Sequence, residues 1–213
     1  MDQEILTNYA KQGAALDHSG HAFDHIQRVV ANAQLLLQQT PQADAAVVLA
    51  AAVLHDTYDD KLVASVTIAK RRTKQVLAQA GATVAQQEAI IAIIDHMSFK
   101  ANLAAHQVLS LEGQLVQDAD RLDAIGAVGI ARTFMYGGAH GSRMYDPKRL
   151  PRHHLDETAY RSDESTVLNH FDEKLFKLAA QMNTPQAKAI AAKRDAVMHE
   201  FVAEFLAEVT GRA

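Results

Sequence analysis

The sequence predicts an all-α protein. Apolar residues recur at intervals of three and four rather than two, and only four prolines and 10 glycines interrupt 213 residues. The expected helices lie near 3–16, 22–39, 43–57, 60–80, 84–97, 111–135, 163–181 and 185–209. Several of their ends have a cause in the residues themselves. Asp44 and Thr83 can accept from first-turn amides, Gly81 suits the left-handed residue after a helix, and Pro185 fits a first turn behind Thr184. The run from Ala45 to Leu54, AAVVLAAAVL, is apolar on all sides. It has half of the ~20 residues that cross a bilayer, so it reads as a buried core helix rather than a membrane span. In the last helix Ile190, Val197, Phe201, Phe205 and Leu206 mark the apolar side, while Lys188, Lys193, Arg194 and Glu200 mark the wet one. The stretch at about 136–163 has glycines, prolines, basic residues and histidines but no helical period. It is expected to be one long loop, either a functional lid or a disordered segment.

Composition narrows the function classes. With 48% hydrophobic and 22% charged residues, the chain suits a single globular domain over 1–213 that needs no disulfide to close its core. A net charge of −4 supplies no basic field for duplex nucleic acid or an anionic membrane. The absence of cysteine excludes thiolate catalysis and thiolate-held metals, leaving His, Asp and Glu as the available ligands. The amino terminus, MDQEILTNYAKQG, is acidic and polar where a secretory signal would be basic and then apolar. A cytoplasmic protein, monomeric or homodimeric, is expected.

Three segments concentrate chemistry. HDTYDD, His55 to Asp60, ends the most apolar helix, where an imidazole and a carboxylate are costly unless hydrogen-bonded, paired or bound to a cation. Upstream, GHAFDHIQRVV sets His21 and His25 four residues apart on one helical face. Downstream, LVQDADRLDAIGAVGI places Asp118, Asp120, Arg121 and Asp123 in an otherwise apolar helix. On the helical lattice Asp120 falls between Val116 and Ala124 and points partly inward, which makes it the preferred ligand. Asp118 and Asp123 are expected to solvate their turns. By itself, a His-Asp pair at a helix end is common and is more often structural than a ligand pair.

Together these segments resemble the HD-domain metal-dependent phosphohydrolases, which carry a histidine, a His-Asp pair and a distant aspartate on helices of one bundle. DHIQRV, AAVLHD, DADRLDAIGAVGIAR and NHFDEKLFKL look like the compact bacterial YpgQ-type members over nearly the whole chain. The resemblance implies a single HD-type helical bundle holding one divalent metal on His25, His55, Asp56 and Asp120. Mn²⁺, Mg²⁺, Zn²⁺, Ni²⁺ and Fe²⁺ all suit such donors, with Mn²⁺ favoured. It also implies hydrolysis of a small phosphorylated substrate, a nucleotide, by metal-activated water, with nucleoside triphosphate pyrophosphohydrolysis the expected reaction.

Asp59 and Asp60, one turn beyond the pair, are the candidate groups for orienting water or moving its proton, Asp59 first; solvated helix-end acids are the competing reading. Arg28, Lys61, Lys100, Arg121 and Lys174 are candidate phosphate contacts, and His96 and His170 candidate pocket residues. His140, His153 and His154 fall in the long loop. Competing functions are hydrolysis of (p)ppGpp, since HDTYDD approaches HD-x-x-ED, a di-iron oxygenase drawing on His96, and a non-catalytic metal or nucleotide sensor.

Overall fold

The computed structural model describes residues 1–14, 22–60, 62–98, 107–152 and 165–212, and among them every regular element is helical. The chain divides into two units, Met1–Asp120 and Arg121–Ala213.

The first unit forms around α3 (Ala45–Leu54), whose residues Ala50 to Leu54 are all buried. A helix apolar on every side has no wet face, so its neighbours must enclose it. They are α1 (Gln3–Ala14), α2 (Phe23–Leu37) and α5 (Val84–Met97), with α4 (Val66–Gln79) packed on α1 and α5. Leu6, Leu36, Leu54, Leu77, Ile90 and Leu115 are fully enclosed, each stabilising the unit by roughly 1.5–3 kcal/mol through burial. The last helix of this unit, α6 (Leu111–Asp123), continues into the first residues of the second.

Three helix starts are joined by one polar knot. Asp44 caps α3 by accepting from the amides of Ala46 at 2.9 Å and Val47 at 3.2 Å. Thr83 and Gln86 form a reciprocal capping box on α5, and the Gln86 amide also donates to Asp44 Oδ2 at 3.4 Å. Glu112, at the start of α6, accepts from the Asp44 amide at 3.2 Å. Gly81 has φ of +80°, as expected after α4. That helix starts at Val66, not 60, and Ser65 caps it by accepting from the Ile68 amide.

In the second unit α7 (Gly126–Ala139) packs on α9 (Pro185–Val209), which also holds α8 (171–181). Here α8 denotes a π-helical turn Phe171–Leu175 that runs through Phe176–Leu178 into a 3₁₀ turn Ala179–Gln181. Phe134, Phe176, Phe201 and Phe205, all half-buried, cluster with the fully buried Phe171, with ring centroids 5.7 to 6.0 Å apart. Thr184 and Pro185 open α9 as the sequence predicts.

Two further expectations need correction. The helix predicted over 111–135 is two helices, because Gly126 adopts φ of +76° and a Cβ at Gly129 would lie 2.3 Å from the Ala124 carbonyl oxygen. The loop expected from 136 begins later, since α7 extends to Ala139. Its described part, 140–152, is tied down. The amides of Val167 and Leu168 donate to the carbonyls of Arg143 and Met144, and the Asn169 side chain donates to the Arg149 carbonyl. Residues 153–164 lie outside the described residues. No helix of the described chain is long and apolar enough to cross a membrane.

Candidate metal centre

Helices α2, α3 and α6 bring four side chains of the first unit to one point. His25 is in the first turn of α2, His55 and Asp56 follow directly on α3, and Asp120 is near the end of α6. His25 Nε2 lies 3.1 Å from His55 Nε2, 3.5 Å from Asp56 Oδ2 and 3.6 Å from Asp120 Oδ1. His55 Nε2 is 3.4 Å from Asp56 Oδ1 and 3.9 Å from Asp120 Oδ1. His25, His55 and Asp56 make the tightest trio, and Asp120 joins it through both imidazoles. Both imidazoles are buried, whereas Asp56 is partly and Asp120 one-third exposed, so the cluster meets solvent on its carboxylate side.

The local chain explains why His55 faces inward with a lone pair. Its Nδ1 is 2.9 Å from the Ala52 carbonyl oxygen, which can only accept, so in the neutral ring Nδ1 carries the hydrogen and Nε2 is free to ligate. The turn that follows is braced on several sides. Thr57 Oγ1 donates to the Leu54 carbonyl at 2.7 Å and meets Thr73 Oγ1 of α4 at 3.1 Å, and Thr73 meets Tyr9 Oη of α1 at 3.4 Å. Tyr58 is buried and donates to Asp95 Oδ1 at 3.2 Å, and Lys70 Nζ lies 2.6 Å from Asp95 Oδ2. Burial first, then the neighbouring Asp95 charge, push the Tyr58 phenol far up, which keeps it a donor.

The spacing of the donors tests whether they fit a cation. Two ligand atoms ~2.1 Å from one ion and at right angles to each other are about 3 Å apart. The 3.1 to 3.6 Å separations around His25 Nε2 match that packing. Two imidazoles with two carboxylates are a donor set for a divalent ion of the first transition row or Mg²⁺.

The remaining sequence candidates are placed less uniformly. Asp59 is half-buried on the same turn, its amide donating to the Asp56 carbonyl, and Asp60 is exposed. Arg28 Nη1 binds Asp24 Oδ2 at 2.5 Å. Burial alone would raise the Asp24 carboxyl, but the Arg28 hydrogen bond and charge and the local amides hold it below its ordinary value. His96 is exposed at the end of α5 and donates from Nδ1 to the Ala92 carbonyl. His140 likewise turns to its own helix, Nδ1 donating to Tyr136 at 2.9 Å. Lys61, Lys100, His21, His153 and His154 lie outside the described residues.

Arg121, His170 and Lys174 belong to the second unit. The Arg121 guanidinium donates to the Gln181 carbonyl, closing the end of α8. His170 and Lys174 are half-buried at the start of that helix.

Asp118 and Asp123 do not solvate their turns as expected: both are buried, and Asp123 pairs with Arg132 Nη1 at 2.9 Å. Two supporting groups escaped sequence reasoning. Asn32 donates to the Ala119 carbonyl at 3.0 Å, and Gln117 to the Met97 carbonyl at 2.7 Å. The one available signal was a polar side chain on an apolar helix face, here Asn32 among Val29, Ala33 and Leu36.

Known proteins resemble this chain to different degrees. A family model for the HD domain matches residues 22–125, the span that contains all four donors. YpgQ of Bacillus subtilis (strain 168) is 36% identical over 210 residues, covering 98% of this chain and 90% of its own. The structure of B. subtilis YpgQ in complex with ADP matches with a TM-score of 0.77 at 31% identity, covering 99% of each chain. A crystal structure from Lactobacillus plantarum reaches 51% identity and a TM-score of 0.89 over 98% of this chain and 96% of that one. An HD-superfamily hydrolase from Bacillus thuringiensis gives 37% and 0.74, covering 98% and 97%. Likeness that runs the length of the chain, with the imidazole and carboxylate donors gathered inside the matched span, means that the chain belongs to the HD-domain family, alongside YpgQ.

Proposed function

We propose that the protein is a metal-dependent phosphohydrolase acting on a small nucleotide, and that its reaction is hydrolysis of a nucleoside triphosphate to the monophosphate and pyrophosphate. The observation that carries this reading is the convergence of His25, His55, Asp56 and Asp120 within 3.9 Å of an imidazole nitrogen. The ADP complex of YpgQ supports a nucleotide as the substrate class. Mn²⁺ is the proposed occupant. When bound, such a cation offsets charge on phosphoryl oxygens and makes water nucleophilic near neutral pH.

The chain's own residues would do the rest. Water oxygen attacks the α-phosphorus, the bond to the bridging oxygen breaks, and pyrophosphate leaves. Asp59 is proposed to take the proton of the attacking water, with Asp60 nearer bulk solvent. His96, Arg28, Lys61 and Lys100 are proposed contacts for the phosphate chain. Arg121 is engaged with the Gln181 carbonyl and supports α8. A di-iron reading needs a second set of ligands; among the described residues the trio built on His25 is the group of three or more His, Asp and Glu side chains that gathers.

The test is turnover by metal-stripped protein against nucleoside mono-, di- and triphosphates and ppGpp, with Mn²⁺, Mg²⁺, Zn²⁺ or Ni²⁺ restored and products identified. Metal-restored release of pyrophosphate from triphosphates is expected. Release of pyrophosphate from ppGpp alone would replace this reading with the (p)ppGpp hydrolase.

A further inference from the structure

The buried amide of Asn32 has a place in the first unit that its neighbours on α2 do not explain. Val29, Ala33 and Leu36 are buried apolar residues, and an amide among them costs free energy unless its polar atoms are engaged. Asn32 Nδ2 donates to the Ala119 carbonyl oxygen, 87 positions away on α6, at 3.0 Å. That carbonyl belongs to the peptide unit whose nitrogen is Asp120's own. Asn32 also sits seven residues after His25, two helical turns along the same face of α2. One helix therefore contributes an imidazole to the donor cluster and grips the backbone from which the fourth donor projects.

We infer that Asn32 is a positioning residue for the candidate metal centre, acting through Asp120. The inference rests on the metal-centre reading above. The tolerance is small: a slip of α6 by one residue moves its backbone 1.5 Å and turns Asp120 by about 100°. Either change would take Oδ1 away from its 3.6 Å approach to His25 Nε2. Gln117, donating from α6 to the Met97 carbonyl at the end of α5, resists the same slip from the other side. Apolar packing is non-directional and tolerates such slips better than a hydrogen bond to one named carbonyl does.

The experiment uses the full chain, metal-stripped, with Asn32→Leu and the smaller Asn32→Ser, each checked by circular dichroism. Mn²⁺ affinity is measured by calorimetric titration, and Co²⁺ serves as a spectroscopic probe of the ligand set. Affinity is expected to fall about tenfold in whichever variant folds, the range usual for residues that orient metal ligands. The visible Co²⁺ spectrum is expected to move toward that of Asp120→Asn. A Co²⁺ spectrum identical to the wild type's overturns the inference, whatever happens to stability, because a purely structural amide would leave the ligand set unchanged. Failure of the wild-type protein itself to bind either ion overturns the metal-centre reading, and Asn32's role with it.

Discussion

Acids withdrawn from solvent, wholly or in part, are handled in opposite ways in the two units. In the second unit Glu173, with 1% of its side chain exposed, is answered from within the protein. Arg152 donates to it from its backbone amide, from Nε at 2.9 Å and from Nη2 at 2.7 Å, and Ser165 Oγ adds a fourth bond at 2.8 Å. In the first unit the neighbours of Asp56 and Asp120 are imidazole nitrogens, groups that can give lone pairs as readily as protons. The guanidinium neutralises its acid and fixes a loop. The second arrangement concentrates donor atoms around a point and suits a cation from outside. The burial of an acid is thus a poor guide to function, and the nature of its answering group a better one.

The sharpest way to break this contrast is Asp56→Ala. Activity and metal content should both fall to background while the helical circular dichroism signal survives; full turnover in that variant would remove the proposed centre. Arg152→Ala should act the other way, leaving the buried Glu173 without its guanidinium and answered only by the residue-152 amide and Ser165, and costing about 3 kcal/mol, with metal content unchanged. Urea unfolding reads this as a lower midpoint at constant slope, and an unshifted midpoint would show that the ion pair carries no stability.

A pH series separates the two regions further. Burial alone would raise the Glu173 carboxyl, but the Arg152 side chain and amide, Ser165 and the guanidinium charge together hold it below its ordinary 4.5. A carboxyl lowered in the folded state contributes stability that is complete above the unfolded value and is lost as pH falls through the folded one. Wild-type stability should therefore decline below about pH 4.5, and Glu173→Gln should flatten that decline. Equal slopes in both proteins would remove Glu173 as a source of the acid sensitivity. The smallest effect is expected from Arg28→Ala. Its pair with Asp24 is partly exposed, so stability should change by less than about 1 kcal/mol. A raised KM for the nucleotide at unchanged metal content is the expected result, and an unchanged KM would take Arg28 out of the proposed phosphate contacts.

How legible these features were depended on distance along the chain. The caps at Asp44, Thr83 and Thr184 and the turn at Gly81 were readable because each is decided within four residues. The donor cluster was readable in a different way, as polar groups interrupting apolar helices in a recognisable order. The break at Gly126 escaped because the apolar period runs on through 111–135, and the cause is a backbone approach that leaves no trace in it. Asp123 was misjudged because its partner, Arg132, lies beyond that break. Glu173 was passed over since Arg152 is 21 positions away, in a segment with no period to place it.

The knot joining Asp44, Gln86 and Glu112 sets a common origin for three helices whose far ends carry His55, His96 and Asp120. Counted from that origin, each functional side chain sits a fixed number of residues away, and every added residue would advance it 1.5 Å and rotate it by about 100°. Insertions should therefore be accepted more readily at the exposed Pro41 and Gln42, ahead of the knot, where a longer loop costs little. Between the knot and the site, the tolerated change in length is zero.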